Sequence, residues 1–195
     1  MKKIERKKEQ KRTAILTAAR ETFRTDGYIG AGMDKIAKSA GVTKQTVYRY
    51  FPSKEVLFRA ALEAQRRETR NPFLDELDRK DTTEALLHFA LGFLKTHMSE
   101  DHLAGIRLLV SEGPDAPEMT RSYFAVGPEK TEARLAGFLR ERFGTRDPEY
   151  AVKVLINTLL SMRMGVLVGL TAPPSPEEMH DHAEKTVRIF MRTMS

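Results

Sequence analysis

Eight consecutive residues, Thr43 to Tyr50, put hydrogen-bond donors, acceptors and aromatic rings on one short segment, TKQTVYRY. These types suit the edges of base pairs and the phosphates beside them. Lys44 can donate to guanine O6 or N7, and Gln45 can pair with adenine through two hydrogen bonds. Thr46 is short enough for a phosphate or a thymine methyl. Tyr48 and Tyr50 can place hydroxyls on phosphates. Thr43 stands where it would cap the segment, and Lys54 adds a cation to the same backbone.

Other chemistry finds less support. The five histidines are His88, His97, His102, His180 and His182, and none has the spacing of a zinc ligand set. His180 and His182 lie two apart and would face different ways on a helix. Ser111 and Ser161 lack a nucleophile elbow, and no glycine loop is built to cradle a phosphate. There is no cysteine, hence neither disulfides nor thiolate catalysis. The residues therefore point away from an enzyme, with no cofactor and no metal site expected.

A recognition segment needs a frame. From Met33 to Lys54 the chain reads helix, tight turn, helix. Ile36, Ala37, Val42 and Val47 fill the wedge between the two helices, and Gly41 takes a left-handed turn that is costly for other residues. This is the pattern of a helix-turn-helix, whose second helix enters the major groove.

Three segments in order and spacing, ILTAARETFRTDGY (15–28), IAKSAGVTKQTVYRYF (36–51) and SKEVLF (53–58), resemble the DNA-binding domain of the tetracycline-repressor (TetR) family of transcriptional regulators. The resemblance covers roughly residues 10–58; the rest agrees with the family in helical layout and length. It implies an all-α fold, with an N-terminal three-helix DNA-binding domain and a C-terminal helical domain for ligand binding and dimerisation. The expected division is a basic N-terminal arm at 1–9, the DNA-binding domain at 10–55 and the ligand and dimer domain at 56–195. It also implies that Thr43, Lys44, Gln45, Thr46, Tyr48, Tyr50 and Lys54 are the DNA contacts. One departure stands out. Where many relatives have Thr or Ser before the first motif helix, this chain has Ala31 and Gly32, which offer no side-chain oxygen for a cap or a phosphate.

Charge agrees with a polyanion at one end. Residues 1–70 hold 18 Lys and Arg against 8 Asp and Glu, a balance of +10, while residues 71–195 stand at −4. The run KKIERKKEQKR is expected to be a disordered arm. It lacks the apolar segment of a signal peptide, and the apolar stretch near Met164–Leu170 is far short of a membrane span, so a cytoplasmic protein is expected.

Nearly every segment reads as helix. Beyond a first helix ended by Gly27 and Gly30, helices are predicted at about 82–98, 100–112, 116–143, 148–170 and 176–194, with Gly127-Pro128 breaking or kinking the 116–143 segment. Caps are predicted at Ser53, Asp81, Asp115, Asp147 and Ser175. The 148–170 segment is apolar nearly all round and must be covered on two sides. A two-fold homodimer supplies the second cover, with Leu155, Leu159, Met162, Val166, Val187, Phe190 and Met191 as its interface. Phe89, Phe93, Leu108, Phe124 and Met162 are candidate linings for a small-molecule pocket. The function expected is a sequence-specific regulator, most simply a repressor released from a pseudo-palindromic operator by a small apolar or amphipathic effector. The alternative is an architectural DNA-binding protein without sequence preference.

Overall fold

The computed structural model describes residues 2–69 and 72–194 and, among them, contains helices and no strand. The order is α1 (Lys2–Gly30), α2 (Met33–Ser39), α3 (Lys44–Tyr50), α4 (Lys54–Thr69), a 3₁₀ segment (Pro72–Asp78), α5 (Thr82–His97), α6 (Glu100–Glu112), α7 (Pro117–Val126), α8 (Pro128–Phe143), α9 (Pro148–Leu159), a 3₁₀ turn (Leu160–Met162), α10 (Arg163–Leu167) and α11 (Pro176–Met194). The all-α expectation holds.

Two compact units divide the chain. The first takes Met1–Arg70 together with Ala104–Gly127. Its core is built from Ile15, Ala19 and Phe23 of α1, Ile36 of α2, Val47 of α3 and Leu57 of α4. Ala116 and Met119 from the α6–α7 region complete it. Phe23, Tyr28 and Phe58 form an aromatic cluster with centroids 5.1–5.8 Å apart.

The second unit takes Asn71–Leu103 and Pro128–Ser195. Its core gathers Phe73, Phe89 and Phe93 with Leu135, Leu139, Leu155, Leu159, Val187 and Phe190. Phe73 meets Phe89 and Phe93 edge-on, and Phe93 stacks on the His97 ring at 3.8 Å.

The helix limits follow local chemistry. Ser53 accepts from the Val56 N–H, Asp81 from Glu84 and Asp147 from Tyr150. Ser175 and Glu178 form a reciprocal capping box at 3.1 and 2.7 Å. Asp115 does not cap: the N-cap of α7 is Ala116, without a side-chain hydrogen bond, because Pro117 sets the helix start one residue later.

Two other expectations change. The basic run at the N-terminus continues α1 from Lys2, where a disordered arm was expected; Met1 lies outside the described residues. The 148–170 segment is not one helix: it tightens to 3₁₀ at Leu160–Met162, and α10 ends at Leu167. By length and composition Pro148–Leu167 alone, among the described residues, would suffice to cross a membrane, yet Leu155 and Leu159 are fully buried in the second unit's core.

Candidate nucleic-acid interface

The turn between α2 and α3 is set by Gly41 at φ +65°. Its N–H reaches the Lys38 carbonyl at 3.2 Å, and the Val42 N–H reaches Ala37 at 3.0 Å. These two bonds close a helix C-terminus through a left-handed glycine. Gly32 starts α2 in an extended conformation without a side-chain cap, as Ala31-Gly32 predicts.

α3 then begins at Thr43, whose hydroxyl oxygen accepts from the Thr46 N–H at 3.2 Å and lies 2.9 Å from the Thr46 hydroxyl. Val47 is fully buried and fastens α3 to the core, a burial that contributes about 1.5–3 kcal/mol. With Val47 inward, Lys44, Gln45, Tyr48 and Arg49 stand outward. Tyr48 is 43% exposed, so its ring and hydroxyl are open to a partner.

The predicted site residues differ in how they are held. The Lys44 ammonium reaches Asp34 at 2.8 Å, and this hydrogen bond holds its pKa above the usual lysine range. Tyr50 is half-buried and its hydroxyl donates to the Lys8 carbonyl at 3.2 Å. Lys54 turns inward: its ammonium donates to the Ile29 and Ala31 carbonyls at 3.1 and 3.4 Å and lies 4.8 Å from the Tyr28 ring centroid. Thr43, Lys44, Gln45, Thr46 and Tyr48 thus share α3 and its cap, while Lys54 belongs to the corner between α1 and α2. Sequence reasoning passed over Arg12, whose guanidinium lies 5.8 Å from the Phe51 ring and, with Lys8, seats α1 against the end of α3.

The other predicted residues fall in different surroundings. Phe89 and Phe93 stack at 5.5 Å inside the second unit's core, with Met162 packed partly against it. Leu108 packs partly against the first unit's core, and Phe124, also in the first unit, is exposed. Leu155, Leu159, Val166, Val187 and Phe190 are buried within the protomer. Other apolar residues of these helices are exposed: Val154 of α9 at 41%, Ile189 of α11 at 61%, and Met164 of α10.

A family model described as "Bacterial regulatory proteins, tetR family" matches residues 15–61, and one described as "AefR-like transcriptional repressor, C-terminal domain" matches residues 84–193. The chain belongs to the TetR family. Among curated relatives of this TetR chain, the HTH-type transcriptional regulator RutR of Escherichia coli K12 is 33% identical over 150 residues, covering 73% of this chain and 68% of RutR. The structure of the "Flavonoid-responsive Regulator FrrA" superposes with a TM-score of 0.77 at 29% identity, covering 95% and 97% of the two chains. That of a TetR-family regulator from Pseudomonas syringae pv. tomato DC3000 gives 0.71 at 26%, covering 94% and 96%. Like other TetR members, this is a DNA-binding transcriptional regulator.

Proposed function

We propose that this regulator is a repressor that binds a pseudo-palindromic operator as a homodimer and leaves it when a small apolar or amphipathic effector binds. The observation that carries the reading is the outward face of α3, where Lys44, Gln45 and Tyr48 stand opposite the buried Val47. Gln45 reads adenine, and Lys44, released from Asp34, reads guanine. Thr43 and Thr46 face the phosphates, joined by the hydroxyls of Tyr48 and Tyr50. Lys54 acts on the same backbone by its charge and by holding the corner beneath. Residues 10–55 make these contacts and residues 56–195 carry effector and partner.

Two copies bring their α3 helices into successive major grooves roughly 34–36 Å apart. The exposed Val154 of α9 and Ile189 of α11 are the proposed dimer contact. The effector enters the C-terminal portion and acts only by preferring one of two arrangements of the dimer. The name of FrrA, a flavonoid-responsive neighbour, supports small-molecule control, and the AefR-like description supports repression. The protein works in the cytoplasm, without a cofactor and not as an enzyme.

Selection of bound sequences from random DNA tests this reading. The expected result is a two-fold symmetric site whose enrichment disappears in Gln45→Ala and Lys44→Ala. Each good base contact is worth about 1–3 kcal/mol of discrimination. Salt-dependent binding with no enriched sequence would instead make the protein an architectural one.

A further inference from the structure

The corner between α1 and α2 is held by side chains from three other helices. Gly27 adopts φ 76°, ψ 178°, a conformation essentially reserved for glycine, and it interrupts the helical pattern of α1. Two residues on, the Ile29 N–H donates to Oε2 of Glu112 at 2.7 Å, across 83 residues of chain. The same carboxylate fills the place where residue 27 would carry a side chain: a Cβ there would collide with Glu112 Oε1. Next to it, buried Tyr28 hydrogen-bonds Glu118 of α7, and burial first, then Glu118, pushes the phenol upward in pKa. Lys54 of α4 takes the carbonyls of Ile29 and Ala31.

A carboxylate thus holds a backbone donor of this corner, and an ammonium holds two of its acceptors. The corner leads into α2 and, through Gly41 and Val47, into the recognition helix. Glu112 is the last residue of α6, a helix that begins among residues of the second unit at Glu100. A shift of α6 along its axis therefore moves the carboxylate that holds the corner.

We propose that Glu112 is a positioning residue for operator binding: its carboxylate fixes α2 and α3 against α1, so that α3 is presented in the orientation the operator requires. The inference rests on the operator-binding reading. Charge-assisted hydrogen bonds are the stronger kind, and losing one transfers the cost of ordering the corner to the binding step. The ring cluster of Phe23, Tyr28 and Phe58 still covers the corner, so the variant folds.

The test compares Glu112→Ala with Glu112→Gln, which keeps an acceptor oxygen for Ile29. Because the chain has no cysteine, Thr17→Cys on α1 and Arg49→Cys on α3 accept spin labels without background. The expected result is a shifted or broadened label-to-label distance in Glu112→Ala, restored in Glu112→Gln. Operator affinity should fall about tenfold in Glu112→Ala, with affinity for random DNA and the melting temperature unchanged. An unchanged distance distribution overturns the proposal, whatever DNA binding does. A changed distance with unchanged operator affinity overturns it too, as does a parallel loss of Tm and of binding to all DNA, which marks a merely structural contact. If the parent protein enriches no sequence, the operator reading fails separately, and the distance measurement still decides whether Glu112 sets the position of α3.

Discussion

Individual side chains here often have a second partner that sequence does not reveal. Lys44 reads as a base contact, but in the free protein it pairs with Asp34 on the preceding helix. Both groups are exposed, so solvent screens the pair and it yields easily to a base edge. His102 gives a sharper prediction. Burial first, then the neighbouring His97 and Arg163, lower its pKa from the ordinary 6.5 to about 3. The unfolded chain therefore binds a proton between these values that the folded chain does not. Stability conferred by the neutral ring is complete above about pH 6.5 and falls as pH drops, by at most about 1.4 kcal/mol per pH unit. Urea unfolding between pH 6.5 and 5, above the range where carboxylates titrate, should show this slope, and His102→Phe should flatten it. An equal slope in the variant would assign the dependence elsewhere. At this scale Gly41, Thr43 and Val47 were legible, because turn, cap and wedge are local. Glu112 was not, since nothing within reach of its own helix marks a partner 83 residues away.

Among the elements, α1 departs most from expectation. The run expected to be an arm is the first turns of α1, which runs on to its break at Gly27 and is seated by the Tyr50 hydroxyl on Lys8 and by Arg12 on Phe51. Lys2, Lys3, Arg6, Lys7 and Lys8 thus belong to a continuous helix docked beside the recognition helix. Removing residues 2–8 should weaken binding to all sequences alike. The slope of log affinity against log salt should fall by about 2–4, since each phosphate that a cation ceases to neutralise lowers it by about 0.9. An unchanged slope would leave this segment away from the DNA. The remaining helices were legible through their caps and prolines, as at Asp81, Asp147-Pro148 and Ser175 with Glu178. Asp115 was misread because capping-box spacing cannot say which of two adjacent residues starts the helix when a proline comes next.

For the whole molecule, apolar periodicity marked the C-terminal helices as the proposed dimer contact but did not say which of their apolar residues the protomer covers itself. Leu155 and Val187 are consumed by the protomer's own core, whereas Val154 and Ile189 remain outside. A pattern tells how much of a helix must be covered, but not which partner covers which face. Val154→Glu with Ile189→Glu should convert the proposed homodimer to a folded monomer, read by sedimentation with an unchanged helical spectrum, and should lower operator affinity by about a hundredfold or more. Val187→Glu should instead destabilise the fold, since it buries an unpaired charge. A dimer that survives the double substitution would place the contact elsewhere.

The first unit is assembled from two separate stretches of chain, Met1–Arg70 and Ala104–Gly127. During translation, at about 5–20 residues per second, the recognition helix leaves the ribosome several seconds before Ala116 and Met119 arrive to close the core around it. A nonsense allele ending before Ala104 would encode every side chain proposed to contact DNA yet leave Ile15, Phe23 and Leu57 incompletely covered. Such alleles should act as simple losses, cleared by proteolysis, and not as dominant fragments competing with the intact regulator for its operator.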